Sequence, residues 1–232
     1  MSTHVSRSIK DKNSIRMSKE LFDSLRLISS FIVVIPLILS IFKFKSLSAT
    51  QLKLFYLLII VFIVEFIANI LWYQKINNLP LYHFYAVIEF ILIINIYRIV
   101  LSKIFPKQFF IILGITFTVF AITNTLFFQN LNTFNSNVTT LLGIIVIFLS
   151  LSYFYALLKE VKYNALETNP MFWINAGFLI YFSSNLILFF INNNMFQGST
   201  EASYLVWGLH AIVNIVLTIF YTIALWVNPK KP

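Results

Sequence analysis

Seven long apolar runs divide this chain, at Leu25–Phe42, Leu52–Tyr73, Leu81–Val100, Phe109–Phe128, Val138–Leu158, Met171–Ile191 and Tyr204–Val227. Each is near the ~20 residues that an α-helix needs to cross ~30 Å of hydrocarbon at ~1.5 Å per residue. Their apolar positions are continuous rather than alternating, and they have about twice the length of a membrane-barrel strand, so helices are expected and strands are not. The fold class that follows is all-α: a polytopic membrane bundle of about seven transmembrane helices. Composition agrees. Hydrophobic residues make up 59% and charged residues 11% of the 232 positions, against roughly 25% charge in a soluble domain. Mean hydropathy is +0.85. Too few polar side chains remain to cover a soluble surface, and the lipid bilayer is the partner expected to do it.

Between the runs lie short polar links with helix breakers, including Asn77-Asn78-Leu79-Pro80, Phe105-Pro106-Lys107, Thr168-Asn169-Pro170 and Asn192–Gly198. None is long enough to hold a second domain. The expected organisation is a basic polar tail over residues 1–24, a transmembrane domain over 25–228, and a short basic tail over 229–232. The first span is the weakest, being short and carrying Pro36. It is expected to extend backwards through Glu20–Arg26, whose long side chains can snorkel. The N-terminal tail shows no compact apolar segment followed by a small-residue cleavage site, and Met17 offers an alternative start.

Charge sets a direction. The 17 Lys and Arg residues give a net charge of +9, but they stand singly or in pairs beside the apolar runs, where they meet lipid headgroups. They form no basic face with interleaved aromatics, so no nucleic-acid partner is expected. Lys43, Lys45, Lys53, Arg98, Lys103, Lys107, Lys159, Lys162, Lys230 and Lys231 all fall on one side of a seven-span topology. The opposite links carry only Lys75. The positive-inside bias therefore places the C-terminus in the cytoplasm and, with seven spans, the N-terminus outside. The basic residues before Met17 pull the other way.

The informative residues are the polar ones within spans, because a charge at the bilayer centre costs at least ~2.5 kcal/mol on the most lenient insertion scale. Of the eight acids, only Glu65 and Glu89 lie within spans. Each sits eight residues in from the outer end of its run, a depth of ~12 Å. Asn185, His210 and Asn214 lie at ~9 to 15 Å by the same measure. Helical offsets align Glu65 with Asn69 and Trp72, Tyr85 with Glu89, and His210 with Asn214 and Tyr221. The candidate polar pocket is thus Glu65, Asn69, Glu89, Asn185, His210, Asn214 and Tyr221. Asn69, Asn95, Asn124, Asn175, Ser183 and Ser184 also fit ordinary interhelical hydrogen-bonding roles. His83, at the mouth of the third run beside Tyr82, fits an interfacial one. Two carboxylates at one depth can share a proton, pair with His210 or bind a cation.

Several chemistries are excluded or disfavoured. Cysteine is absent, which removes disulfides, thiolate nucleophiles and thiolate zinc sites. The seventh run has no lysine, and every lysine sits at an end or in a link, so a retinal Schiff base is not expected. The three histidines, His4, His83 and His210, lack the spacing of a zinc-dependent membrane hydrolase. No cofactor or metal is expected. A carboxylate pair with separated pKa values could still act as acid and base. In that layout the chain resembles the lysoplasmalogenase family, compact multi-span enzymes acting on polar lipids, whose acids are mainly aspartates where this chain has glutamates.

A second set of motifs is Ile35-Pro36 with the basic Lys43–Lys45; Asn77-Asn78-Leu79, Leu81-Tyr82-His83 and Ile88-Glu89; Phe172-Trp173-Ile174-Asn175 with Tyr181-Phe182-Ser183; and Leu209–Asn214 with Tyr221 and Trp226. In these the chain resembles a family of bacterial seven-span membrane proteins with no assigned activity, often placed beside membrane sensor modules. The resemblance covers spans one to three and six to seven. It implies a bacterial inner-membrane location and a receptor-like or sensory role. The links are too short for an output domain, so signalling would need a separate cytoplasmic partner. A lipid hydrolase using Glu65 and Glu89, and a small proton-coupled transporter, are the alternatives.

Overall fold

A computed structural model describes residues 19–159, 166–195 and 200–227. The terminal tails, Lys162, and residues 196–198 of the sixth link lie outside these. Among the described residues, seven helices are long and apolar enough to cross a membrane: α1 (Lys19–Phe42), α2 (Ala49–Tyr73), α3 (Leu79–Val100), α4 (Lys107–Phe127), α5 (Ser136–Lys159), α6 (Pro170–Met195) and α7 (Thr200–Trp226). Short 3₁₀ turns at Phe44–Ser46 and Leu166–Thr168 complete the described elements. The chain is a multi-pass, all-helical membrane protein. In the seven apolar windows only 28% to 44% of residues are buried, and many large apolar side chains are exposed, as lipid permits and water does not.

Local signals explain the ends. Ser48 and Gln51 form a capping box that starts α2. Pro80, Pro106 and Pro170 sit at the starts of α3, α4 and α6, where a missing N–H costs nothing. Helix α2 stops in a Schellman arrangement: Lys75 takes φ 59°, while Ile76 N donates to Leu71 O and Lys75 N to Trp72 O. The described part of helix α1 reaches back to Lys19, six residues before the sequence boundary at Leu25, because its turns there are amphipathic rather than wholly apolar. It bends at Ile32 and Val33, since Pro36 cannot donate to Ile32 O, and Ile35 N takes that oxygen at 3.0 Å.

The helices close into a ring, with α7 packed against α6, α1 and α2, and α3 against α2, α4 and α5. Gly177 allows the tightest approach: a Cβ there would lie 2.9 Å from Phe220 Cβ, so α6 and α7 meet almost backbone to backbone. The α1–α2 link latches the far end of α7. Lys43 Nζ donates to Leu225 O and Trp226 O, and the Gln51 amide donates to Ala224 O and Val227 O. These carbonyls are orphans of the helix terminus, which cations and amides there satisfy.

The core between α3, α5 and α6 contains a polar triangle. Tyr97 donates to Asn175 Oδ1 at 2.8 Å and lies 2.6 Å from Ser150 Oγ, and the Asn175 amide donates to Ser150 O at 3.2 Å. All three residues are fully buried.

Candidate functional site

At the end of the bundle where α1, α3, α5 and α7 begin, a cavity of about 400 Å³ opens between six of the helices. Its volume lies within the roughly 300–1,000 Å³ of small-molecule sites. Helix α1 supplies Arg26, Ser29 and Ser30 from one face; α2 supplies Val61, Glu65 and Trp72; α3 supplies Tyr82, Tyr85 and Glu89. The α4–α5 link and α5 add Phe134, Asn135 and Gly143, while α6 and α7 add Tyr181, Asn185, Trp207, His210 and Asn214.

Five of the seven pocket residues read from the sequence line this cavity: Glu65, Glu89, Asn185, His210 and Asn214. Two do not. Asn69 stands one turn above Glu65, where it accepts from Arg26 Nη1 at 2.6 Å and donates to Glu65 O. Tyr221 lies two turns beyond Asn214, away from the cavity end; it is buried, with its ring edge-on to Phe178. An offset of seven keeps it on the same face but carries it ~10 Å along the axis.

Each carboxylate has its own partners. Glu65 Oε2 accepts from Ser30 Oγ at 2.7 Å and Oε1 from Tyr82 OH at 3.4 Å. Glu89 Oε1 accepts from Tyr85 OH at 3.0 Å. His210 Nδ1 lies 2.7 Å from Asn185 Oδ1; because that oxygen can only accept, the contact places a proton on Nδ1. His210 is therefore held through an amide. Asn214 ties α7 to α1 by donating to Ser29 Oγ at 2.8 Å. Among the described residues, no group of three or more His, Asp or Glu side chains gathers where it could hold a metal ion.

His83, at the mouth of α3, is buried, with its ring nitrogens 3.1 Å from Thr125 Oγ1 and 3.0 Å from Thr133 O. Its work is to fasten α3 to α4 and to the α4–α5 link. That link is itself a polar knot, in which Asn124, Gln129, Asn135, Ser136 and Asn137 bond one another. The knot forms part of the cavity wall through Asn135.

Arg26 is the residue that sequence reasoning treated as a flanking charge. Its guanidinium carbon lies 3.9 Å from the centroid of the Trp72 ring, a cation–π arrangement. Its signal was present in the spacing: Arg26, Ser29, Ser30 and Val33 repeat at helical offsets, and the last three are buried. Comparison of the chain with protein-family models, with curated proteins and with solved structures returns no match.

Proposed function

We propose that this chain is a receptor-like membrane protein whose cavity binds a small molecule from outside the cell and reports its occupancy to a separate cytoplasmic protein. The observation that carries the reading is the cavity itself, about 400 Å³ in volume and lined by a guanidinium, two carboxylates, an imidazole and three tyrosines. Polar groups in a bundle core are costly unless they serve packing or function. Here they have partners of their own and yet surround space. Lys43, Lys45, Lys103, Lys107 and Lys159 lie at the opposite end of the helices, so the positive-inside bias turns the cavity outward. The motif resemblance to a bacterial seven-span family points the same way, toward an inner-membrane sensor.

Two measurements test this. Because the chain has no cysteine, single substitutions can be labelled cleanly. With an impermeant thiol reagent on intact cells, Asn132→Cys in the α4–α5 link is expected to react and Lys45→Cys is not; the reverse pattern would invert the topology. Ligand screening by thermal shift on purified protein should yield stabilising compounds whose effect falls in His210→Ala. A lipid hydrolase working through Glu65 and Glu89 is the competing reading, favoured by two carboxylates on one cavity. Turnover of a lysolipid by the purified protein, lost in Glu89→Gln, would replace the receptor reading.

A further inference from the structure

The cavity wall carries two sets of N–H donors that the protein leaves unused. Arg26 Nη1 is committed to Asn69 Oδ1, and one face of the guanidinium lies over Trp72. Nε and Nη2 are buried and have no partner. Those two atoms form the side-on edge of the guanidinium, the fork that takes two oxygens of a carboxylate or phosphate in parallel. The nearby carboxylate of Glu65 does not fill it, being turned to Ser30 and Tyr82 instead. Asn69 is in turn fastened to Glu65 O, so the guanidinium is anchored at its far edge.

The second set lies on a different element. Asn135, in the α4–α5 link, uses its side-chain oxygen to accept from Asn124, while its Nδ2 is buried with no partner. Arg26 and Asn135 line the same cavity. Buried donors without acceptors are rare and expensive in proteins, and two in one cavity, both donor-only, call for a ligand rich in acceptors. The remaining wall includes Val61, Ala86, Leu142 and Leu186, which offer an apolar surface.

We propose that the cavity takes a small amphiphile by its oxyanion head, held along the Nε–Nη2 edge of Arg26 and by the Asn135 amide, with the apolar body against Val61, Leu142 and Leu186. This rests on the cavity being a ligand site, as proposed above. The oxyanion is a carboxylate or a phosphate, from either a membrane lipid or a soluble metabolite. The test uses the full-length protein in detergent and four probes that share one alkyl chain: decanoate, decyl phosphate, decylamine and decanol. Benzoate serves as a water-soluble carboxylate. Binding is read by native mass spectrometry and thermal shift.

The expected ranking places decanoate or decyl phosphate well above decylamine and decanol. Arg26→Gln should weaken the anionic probe about tenfold or more, and Arg26→Lys should not restore it, because an ammonium lacks the fork. Binding of benzoate at similar strength would assign a soluble source; binding of the alkyl anions alone would assign a membrane one. Equal binding of decanol or decylamine, or an unchanged affinity in Arg26→Gln, overturns the oxyanion assignment while leaving the cavity a ligand site. No binding of any probe overturns both. Should Arg26→Gln fail to fold, the ranking of the four head groups on wild-type protein decides alone.

Discussion

Tyr97, Ser150 and Asn175 form a closed, fully buried triangle in which the tyrosine hydroxyl and the asparagine amide both find partners. Nearer the cavity end, Arg26, Glu65, Glu89 and His210 are just as polar, yet they surround about 400 Å³, and two guanidinium nitrogens have no partner. Both clusters face the same physical problem, which is to keep polar groups out of hydrocarbon. The triangle solves it internally and so contributes to packing. The cavity cluster solves it only in part, leaving two guanidinium nitrogens and the Asn135 amide nitrogen without partners. Polarity in a membrane bundle is therefore weak evidence for function until its hydrogen bonds are counted.

That contrast can be broken by mutation. The largest effect is expected from Asn175→Ala, which removes the acceptor of a buried tyrosine hydroxyl and leaves a void; a loss of about 2–3 kcal/mol in unfolding free energy should appear with ligand binding unchanged. A loss below about 0.5 kcal/mol would mean the triangle is not a stabilising unit. Tyr97→Phe keeps the ring and strands Asn175 Oδ1, with an expected cost of about 1–2 kcal/mol in the same assay.

At the cavity the sign should turn. Glu89→Gln keeps an acceptor for Tyr85 and removes a charge from a poorly solvated site, so stability should hold or rise by up to about 1 kcal/mol while ligand affinity changes. Destabilisation as large as that of Asn175→Ala would erase the distinction between the two clusters. The smallest effect is expected from Ser150→Ala, about 0.5 kcal/mol, because Tyr97 keeps its bond to Asn175 and the backbone oxygen of Ser150 still accepts from that amide.

How far the sequence reached can be traced residue by residue. The seven spans were legible because lipid, acting as solvent, requires long uninterrupted apolar helices and tolerates little else. The level of Glu65 and Glu89 followed from counting along α2 and α3, and both acids face one cavity. Asn185 and His210 were placed at a common depth, but their mutual hydrogen bond depends on how α6 and α7 rotate about their axes. One-dimensional spacing encodes neither that rotation nor the close approach of the two helices at Gly177. Arg26 was counted as a boundary charge because it is the second residue of the first apolar run, at its polar end. Only the helix continuing back to Lys19 turns it inward. The burial of His83 at the mouth of α3 was not legible for a related reason: it depends on the α4–α5 link, whose Thr133 O lies 3.0 Å from the ring.

The latch between Lys43, Gln51 and the last carbonyls of α7 bears on the order in which the molecule is assembled. The ammonium emerges 182 residues before the Leu225 carbonyl that it will meet, so throughout insertion of the intervening helices the first link waits without its acceptors. Only when α7 arrives beside α1 can the ring lock. Because α7 also brings Trp207, His210 and Asn214 to the cavity wall, the chamber closes only once α7 is in place, and a chain halted before α7 would leave that wall open.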